Sequence, residues 1–587
     1  MSSSKTTKLL VTTGLNQTWG QKESLILLGQ WCKSYDNINL TNTREYVTID
    51  YHWNNNTKFR KDYDYLEGLF ERVLTTLVVS LNNFHKTKYS KRYWRIILGP
   101  WLLSYVSVLW DRWENIRVAF EAQNFDSTIG IILNSDKLVA ENFDNWSQLI
   151  INDLWNHHIY NEIIDFHYKE KVNFQYLTYS GIYPSKKLIR NASSYKQTFI
   201  TLIDRLFGKI QKNYKVIFVT SYFSLFNLIR ISLKLKQLPR LHTVFSKVID
   251  VPSGPKSRSI IDFNLNINNP FEEYLKINIA EQIPKSYLES YRNFNKEADL
   301  ISCDGDLIFT ANDHLRNDLF NVWCAGKVEQ GKKLVIGQHG GGIKSDLTVF
   351  RHQEKIANKM IVWHKPLEDI HVQLPPSKLI NIQKKKTYKS ELTIVGYEPQ
   401  IYTSRAQSGP KGDGILDDFL QTLKFCHYLS DEVQDSIRVR SNSHGQGFFN
   451  SGLRYKNELG EDKISNHIDL YEAYNHSKII VCTYPQTTFS EALNFNIPTI
   501  LLCNEDVWEI DKNFHSLVSE LKRNKIFFTT PEEASKHINC IWSNPELWWN
   551  KIETKKARDK FLEICGRTSK NWASEWTDFF NKTISDS

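Results

Sequence analysis

Residues Lys478–Leu502 read KIIVCTYPQTTFSEALNFNIPTILL, and the class of the whole chain follows from them. Ile479–Thr483 is a short apolar, β-branched run of the kind that forms a strand buried on both faces. A polar turn follows, then a helix start, and after Pro498 a second buried strand. In the turn Thr487 and Thr488 precede Ser490 and Glu491. Hydroxyls and unpaired backbone N–H groups at a helix N-terminus suit a phosphate. Glu491, on the first turn, is placed for a ribose hydroxyl. The plainer reading is a Thr-capped strand–helix–strand unit with no ligand.

Working outward, the same alternation recurs. Strands are expected at Lys8–Thr13, Tyr214–Thr220, Leu307–Thr310, Leu334–Ile336, Met360–Trp363, Leu392–Val395, Ile437–Arg440 and Ile526–Phe528. Helix-length segments separate most of them, and residues from about 62 to 122 show helical spacing nearly throughout. Such alternation predicts mostly parallel sheets. Thr530-Pro531-Glu532-Glu533 carries a helix start: Thr at the cap, Pro at the first position and Glu to complete a capping box. The chain turns polar around Glu329–Lys333, which sets the expected boundaries. Residues 1–328 form an N-terminal α/β domain with helical insertions, 329–510 a Rossmann-like domain, and 511–587 a strand and helices crossing back over both. The expected fold class is α/β, two Rossmann-like domains facing a cleft. Lys384–Lys386 reads as an exposed loop.

Composition narrows the function. The 587 residues are 41% hydrophobic and 24% charged, ordinary for a soluble globular chain long enough for several cores. Trp (17) and Tyr (27) are abundant; their flat faces with polar tips suit sugar rings, although most belong in cores. A net charge of +9 suits an anionic small ligand or contact with an acidic membrane surface. Without a basic stripe or a binding motif it is no nucleic-acid signature. The 8 cysteines show no CxxC pair and no metal-ligand spacing, which points to a reducing compartment. No signal-peptide run opens the chain, and Ile96–Trp110 is interrupted by Gly99-Pro100 and is too short to span a bilayer. A cytoplasmic protein is expected, with peripheral contact at the inner face of the plasma membrane open to it.

Two further motifs carry chemistry. Gly337-Gln338-His339-Gly340-Gly341-Gly342 follows the Leu334–Ile336 strand directly. Consecutive glycines let a backbone approach a ligand closely and turn N–H groups toward it. His339 is placed to donate to a phosphate or to charge developing on a leaving group. The plainer reading is a turn with a surface His. No Gly-Lys-Ser/Thr follows, so this is not a Walker loop, and the spacing disfavours a dinucleotide cofactor. Arg438-Val439-Arg440-Ser441-Asn442 ends a predicted strand, where Arg438 and Arg440 can grip phosphate through their fork of donors or form ordinary surface ion pairs. Asp62-Tyr63-Asp64 and Asp304-Gly305-Asp306 match the short DxD metal pattern, with solvated acids as the alternative, and no metal site is assigned.

The chain resembles a family of transferases from bacterial surface-polysaccharide and O-antigen gene clusters, almost end to end. The resemblance is carried by LVTTGLNQTW, SKRYWRIILGPWLLSYVSVLWDRW, INDLWNHHIY, GQHGGG and QTTFSEALNFNIPTILL. It implies a GT-B-like glycosyltransferase acting in lipopolysaccharide or capsule synthesis on a nucleotide-activated sugar, with no cofactor beyond that substrate and no metal. The C-terminal half is similar to transferases using CMP-Kdo or sialic-acid-like (CMP-nonulosonate) donors. The donor contacts are then Gly337–Gly342, Arg438, Arg440, Thr487, Thr488, Ser490 and Glu491. The acceptor, a glycan or lipid-linked glycan, falls to the N-terminal domain, with Asn16, Gln17 and Trp19 as contacts after the first strand. Asp153 or Asp111 is expected there as base or nucleophile, alongside His339. His157 and His158 are adjacent, so on a helix at most one faces a site. Two other classes share the fold: a nucleotide-sugar epimerase, which product analysis with the donor alone would reveal, and a non-catalytic scaffold of a polysaccharide assembly complex.

Overall fold

The computed structural model describes residues 7–33, 44–184, 195–242, 261–380, 389–440 and 445–586, together with Phe245, Ile249, Val251 and Arg258. Lys384–Lys386, Ser441 and Asn442 lie outside the described residues. The strands form three five-stranded sheets, each with every pairing parallel. The first holds β1 (Lys8–Val11), β2 (Ser24–Leu27), β3 (Tyr46–Thr48), β4 (Ser127–Ile132) and β5 (Asn173–Thr178) in the order β3-β2-β1-β4-β5. The second runs consecutively through β6 (Asn213–Val219), β7 (Asp304–Thr310), β8 (Lys333–Gly337), β9 (Lys359–Val362) and β10 (His371–Gln373). The third holds β11 (Glu391–Val395), β12 (Ile437–Arg440), β13 (Ser477–Cys482), β14 (Thr499–Leu502) and β15 (Phe527–Phe528) in the order β12-β11-β13-β14-β15. The strand order reverses between β1 and β4 and again between β11 and β13. Loops leave in opposite directions at such a reversal and open a crevice at the strand C-termini.

The helices fill the space between sheets. α1 (Asn56–His85) and α2 (Lys91–Ala122) form a long hairpin, and α2 is buried almost continuously from Tyr93 to Leu109. Gly99-Pro100 does not interrupt it, because an all-round apolar helix in a core outweighs the backbone hydrogen bond that Pro forfeits. Gly99 is needed for closeness: a Cβ there would stand 2.1 Å from the His352 ring. α3 (Asp153–His167) packs on α2 and β4, while α4 (Leu225–Lys234) flanks the second sheet. α5 (Asp318–Glu329) lies on α2. α6 (Thr487–Phe495) joins β13 to β14, and α7 (Pro531–Ile541) covers the third sheet. α8 (Trp572–Ser585) then crosses to the second sheet, where Trp572, Trp576 and Phe580 share a core with Phe218 and Phe309. Trp542, Trp548 and Trp549 stay in the core of the third.

The α/β class and the parallel sheets are as expected. The boundary at 328/329 is not where the units divide, because it falls at the end of α5, between β7 and β8 of the second sheet. β7 and β8 pair across it from Leu307↔Lys333 to Thr310↔Ile336. Residues before β6 build a further sheet of their own, whose strands β2–β5 are short or exposed and escaped the periodicity reading. Thr530 precedes α7 and Pro531 opens it, but the Thr530 side chain makes no capping bond. No helix among the described residues is long and apolar enough to cross a membrane. The eight cysteines are unpaired and seven are buried, as small apolar residues.

Candidate functional site

The two motifs legible in the sequence meet. β8 delivers Gln338 against the end of β9, where its backbone N–H donates to Ile361 O (2.9 Å) and its side-chain oxygen accepts from Trp363 N (3.0 Å). Trp363 Nε1 returns a bond to Gln338 O at 3.1 Å. The glycines then pass between Trp363 and the β13–α6 turn. A Cβ on Gly340 would lie 2.1 Å from Thr487 Oγ1, one on Gly341 2.5 Å from Trp363 Cγ, and one on Gly342 2.4 Å from Pro485 O. The triplet is therefore glycine because there is no room for a side chain. Three bonds stitch the loop to α6: Ile343 N to Pro485 O (3.0 Å), Gln486 Nε2 to Ile343 O (3.2 Å) and Ser490 Oγ to Gly341 O (3.1 Å). Gln486 caps α6 without a side-chain bond, so its side chain satisfies none of the helix's first N–H groups. A helix start of this kind attracts an anion.

Charge gathers at the same place. Gln338–Gly342, Gln486 and Arg405 line a cleft of about 470 Å³ between the second and third sheets, together with Arg316 from the four-residue helix after β7. Lys378 stands close by, its Nζ 4.6 Å from the centre of the Tyr222 ring. Among the described residues, neither Arg316 nor Arg405 nor Lys378 has an ion-pair partner within 4.0 Å, although Glu491 is near enough to raise the Lys378 pKa. Burial and the positive charge of Arg316 push the Arg405 pKa down. Uncompensated cations facing one another favour any anion that enters. His339 stands among them, reachable from the cleft. Enclosure by the cleft walls, reinforced by Lys378, Arg316 and Arg405, pushes its pKa down to about 4, so its imidazole is neutral at physiological pH. Glu491 is buried behind the turn and burial pushes it up to about 7, against the opposing charge of Lys378.

A larger cleft, about 1040 Å³, opens at the reversal point of the first sheet. Asn16, Gln17 and Gln30 from the loops after β1 and β2 line one side, and Gln446–Asn450 of the third unit the other. Asp153, first residue of α3, enters it and accepts a bond from the Tyr402 hydroxyl. Burial raises the Asp153 pKa, opposed by Tyr402 and the Gly14 N–H. The segment from Ile401 to Ser408 runs between the two clefts: Ile401 lines the larger, while Arg405, Gln407 and Ser408 line the smaller. A cavity of about 300 Å³ along Tyr402–Ser408 lies between them.

The model of LIC12162 family transferases matches residues 8–580. The chain belongs to that family. Among curated proteins none matches the sequence. Three solved structures are similar at low identity. They are MurG of Acinetobacter baumannii (11% identity, 63% of this chain and 100% of that one, TM-score 0.33), the wall teichoic acid polymerase TagF (10%, 66% and 92%, 0.30) and the spinosyn forosaminyltransferase SpnP (10%, 64% and 100%, 0.31). With scores this far below 0.5, the site of this LIC12162 family transferase is read from its own residues.

That reading moves several expected residues. Asp111 is 2% exposed, deep in a network, and lines neither of the two clefts. Its carboxylate accepts from Tyr51 (2.5 Å), His52 (3.2 Å), Arg112 (2.5 Å) and Asn115 (3.1 Å). Burial works to raise its pKa, and Arg112 and His52 outweigh that and hold it low. Arg112 also donates to Thr403 O at 2.8 Å, so the pair holds the segment between the clefts in place. Trp19 is core, its Nε1 donating to Thr13 O at 3.1 Å, whereas Asn16 and Gln17 do reach the larger cleft. Arg438 turns back on Asp435 O and Ile437 O. Arg440 holds His467 O on the edge strand, one strand away from the reversal point. Thr488 and Ser490 are buried beneath the turn, leaving Thr487 half-buried at its surface. Asp304 opens β7, at the end remote from the crevice, and pairs with Lys327 and Lys332. Asp62 faces His52 and Glu114 within ligand-to-ligand range of a metal, but the Lys58 ammonium sits in that position, bonded to Asp62 and 2.8 Å from Glu114. Arg316, Lys378 and Arg405 carried no sequence signal, because Arg316 ends a four-residue helix after β7, the other two lie in irregular segments, and only the fold brings them together.

Proposed function

We propose that this LIC12162 family transferase is a glycosyltransferase that moves a sugar from a nucleotide-activated donor to a surface-polysaccharide acceptor. CMP-Kdo or a CMP-nonulosonate is the proposed donor, by the resemblance of the C-terminal half. The observation that carries the reading is the joint seat of the Gly340–Gly342 loop and the α6 N-terminus, ringed by Arg316, Lys378 and Arg405. Backbone N–H groups and three cations without ion-pair partners suit a nucleotide phosphate.

In the proposed reaction the acceptor hydroxyl oxygen attacks the anomeric carbon while His339, neutral and accessible, takes its proton. The bond from the anomeric carbon to the donor phosphate breaks, and its electron pair leaves on the phosphate oxygen. Arg316, Arg405, Lys378 and the first turn of α6 stabilise that charge. Because side chains supply the positive charge, turnover in the presence of a chelator is expected. The acceptor glycan is assigned to the larger cleft, held by Asn16, Gln17 and Asp153, which makes Asp153 a binding group. Peripheral contact with the inner face of the plasma membrane would bring a lipid-linked acceptor to it.

A thermal-shift panel of CMP, UDP, GDP and dTDP tests the seat. A ligand that binds only the folded state raises Tm by mass action. A shift with one nucleotide, lost in Arg405→Ala, supports the reading, and a response to CMP alone supports the donor. No shift with any of the four sinks it.

A further inference from the structure

The smaller cleft continues away from the glycine loop along the face of the second sheet, beneath α2. His364 follows β9, and His371 opens β10 in register with Met360. Gln353 and Glu354 come from the segment before β9, and Leu103 of α2 closes the far side. Both histidines are more than nine-tenths buried, at 2% and 6% exposure, and both line the cavity. His364 Nδ1 lies 2.7 Å from Lys365 O, so it carries the proton and Nε2 is left as an acceptor. That Nε2 has no hydrogen-bond partner, and His371 has none either, its nearest polar neighbour being the Glu354 carboxylate. Gln353 likewise shows no side-chain bond among the described residues. Buried polar atoms in a cavity wall without partners mark a place where something polar binds.

We propose that this wall seats the sugar of the donor, its hydroxyls pairing with His364, His371, Gln353 and Glu354 while Leu103 and Met360 pack against its C–H face. The proposal rests on the nucleotide-sugar reading above and adds where the sugar lies. A metal is the competing occupant of a His-His-Glu set, and the geometry disfavours it. His371 Nε2 stands 3.9 Å from Glu354 Oε1, and the His364 and His371 ring centres are 5.6 Å apart. Among the described residues only His52, Asp62 and Glu114 offer three ligand atoms all within 4.8 Å of one another. Acceptors and donors spread along a wall match hydroxyls spread around a ring. Burial keeps His364 neutral, with its pKa pushed down to about 4, so its lone pair is available at physiological pH.

The test compares free nucleotides (CMP, UDP, GDP, dTDP) with their sugar conjugates (CMP-sialic acid, UDP-glucose, GDP-mannose, dTDP-glucose) by calorimetry. It uses the unaltered protein and His364→Ala, His371→Gln and Gln353→Ala. Gln353 is only partly buried, so that variant keeps the test alive if a histidine variant does not fold. The expected result is a sugar conjugate weakened about five- to tenfold in each variant while the matching free nucleotide stays within about twofold, as losing one hydrogen bond predicts. Equal losses for nucleotide and conjugate, or no loss for either, overturn the proposal. So does a conjugate affinity that a chelator abolishes in the unaltered protein, which would assign the histidines to a metal. Absence of binding by every free nucleotide to the unaltered protein is a different failure, of the phosphate seat itself, and takes the sugar seat with it.

Discussion

Arg405 and His339 divide the work of the smaller cleft, and each gives a distinct prediction. Arg405 faces Arg316 with no carboxylate within 4.0 Å of either among the described residues, so a bound phosphate gains charge-assisted bonds. Arg405→Ala is expected to weaken nucleotide binding about ten- to hundredfold, measured by calorimetry. His339→Ala should spare nucleotide affinity and lower kcat by about 10²–10⁴. The pH profiles carry a sign. A base held near pKa 4 by enclosure, reinforced by neighbouring cations, stays neutral in the free enzyme down to about pH 4. Once an anionic donor offsets those cations the same imidazole holds a proton more readily. The acidic limb of kcat should therefore lie at higher pH than that of kcat/KM, and coincident limbs would remove His339 from the role of base.

At the scale of elements, the site depends on a loop, a helix and a segment locked to one another. Gly340→Ala drives a methyl into Thr487 Oγ1, so nucleotide affinity should fall at least about tenfold, as expected when a seat is displaced by about 1 Å. Adding Thr487→Ala should restore part of it, since the hydroxyl goes and the Thr487 Cβ stays at 3.3 Å. Asp111 makes its contribution through structure. Asp111→Asn leaves Arg112 buried without its counter-charge and loosens Thr403, and about 3–5 kcal/mol of stability should be lost in urea unfolding. A variant that folds with full stability and no turnover would instead return Asp111 to the chemistry.

For the whole molecule, the buried histidines tie stability to pH. Burial pushes His157 and His314 down to about 3 and His364 to about 4, from an ordinary value near 6.5. The unfolded chain therefore binds protons below about pH 6.5 that the folded chain refuses, and stability falls as pH drops from there toward 3–4. Above pH 6.5 these groups contribute no slope. Each adds up to about 1.4 kcal/mol per pH unit inside the window. The urea midpoint should be clearly lower at pH 5 than at pH 7.5, and an unchanged midpoint would mean that these rings are not buried neutral in solution. The first and second sheets share one core with the long helical hairpin, so this loss is expected to be felt across both.

The amino-acid sequence alone determined the local units. Apolar β-branched runs marked β8, β13 and β14, and the glycine triplet and the Thr-rich turn each announced a phosphate-sized opening, because these features are written in adjacent residues. It also carried Asn16 and Gln17 to the larger cleft by the rule that loops after parallel strands line crevices. Sequence could not count the sheets: β2 to β5 are three to six residues long, and β5 is exposed on nearly every position, so no period identifies them. Asp111 and Asp153 look alike as acids among apolar and aromatic neighbours, yet burial makes one an anchor and an opening makes the other a cleft residue. Arg316, Lys378, Arg405, His364 and His371 are scattered over a four-residue helix, irregular segments and a strand edge. Their convergence on one cavity is a long-range product of parallel pairing and helix packing, which only the tertiary structure decides.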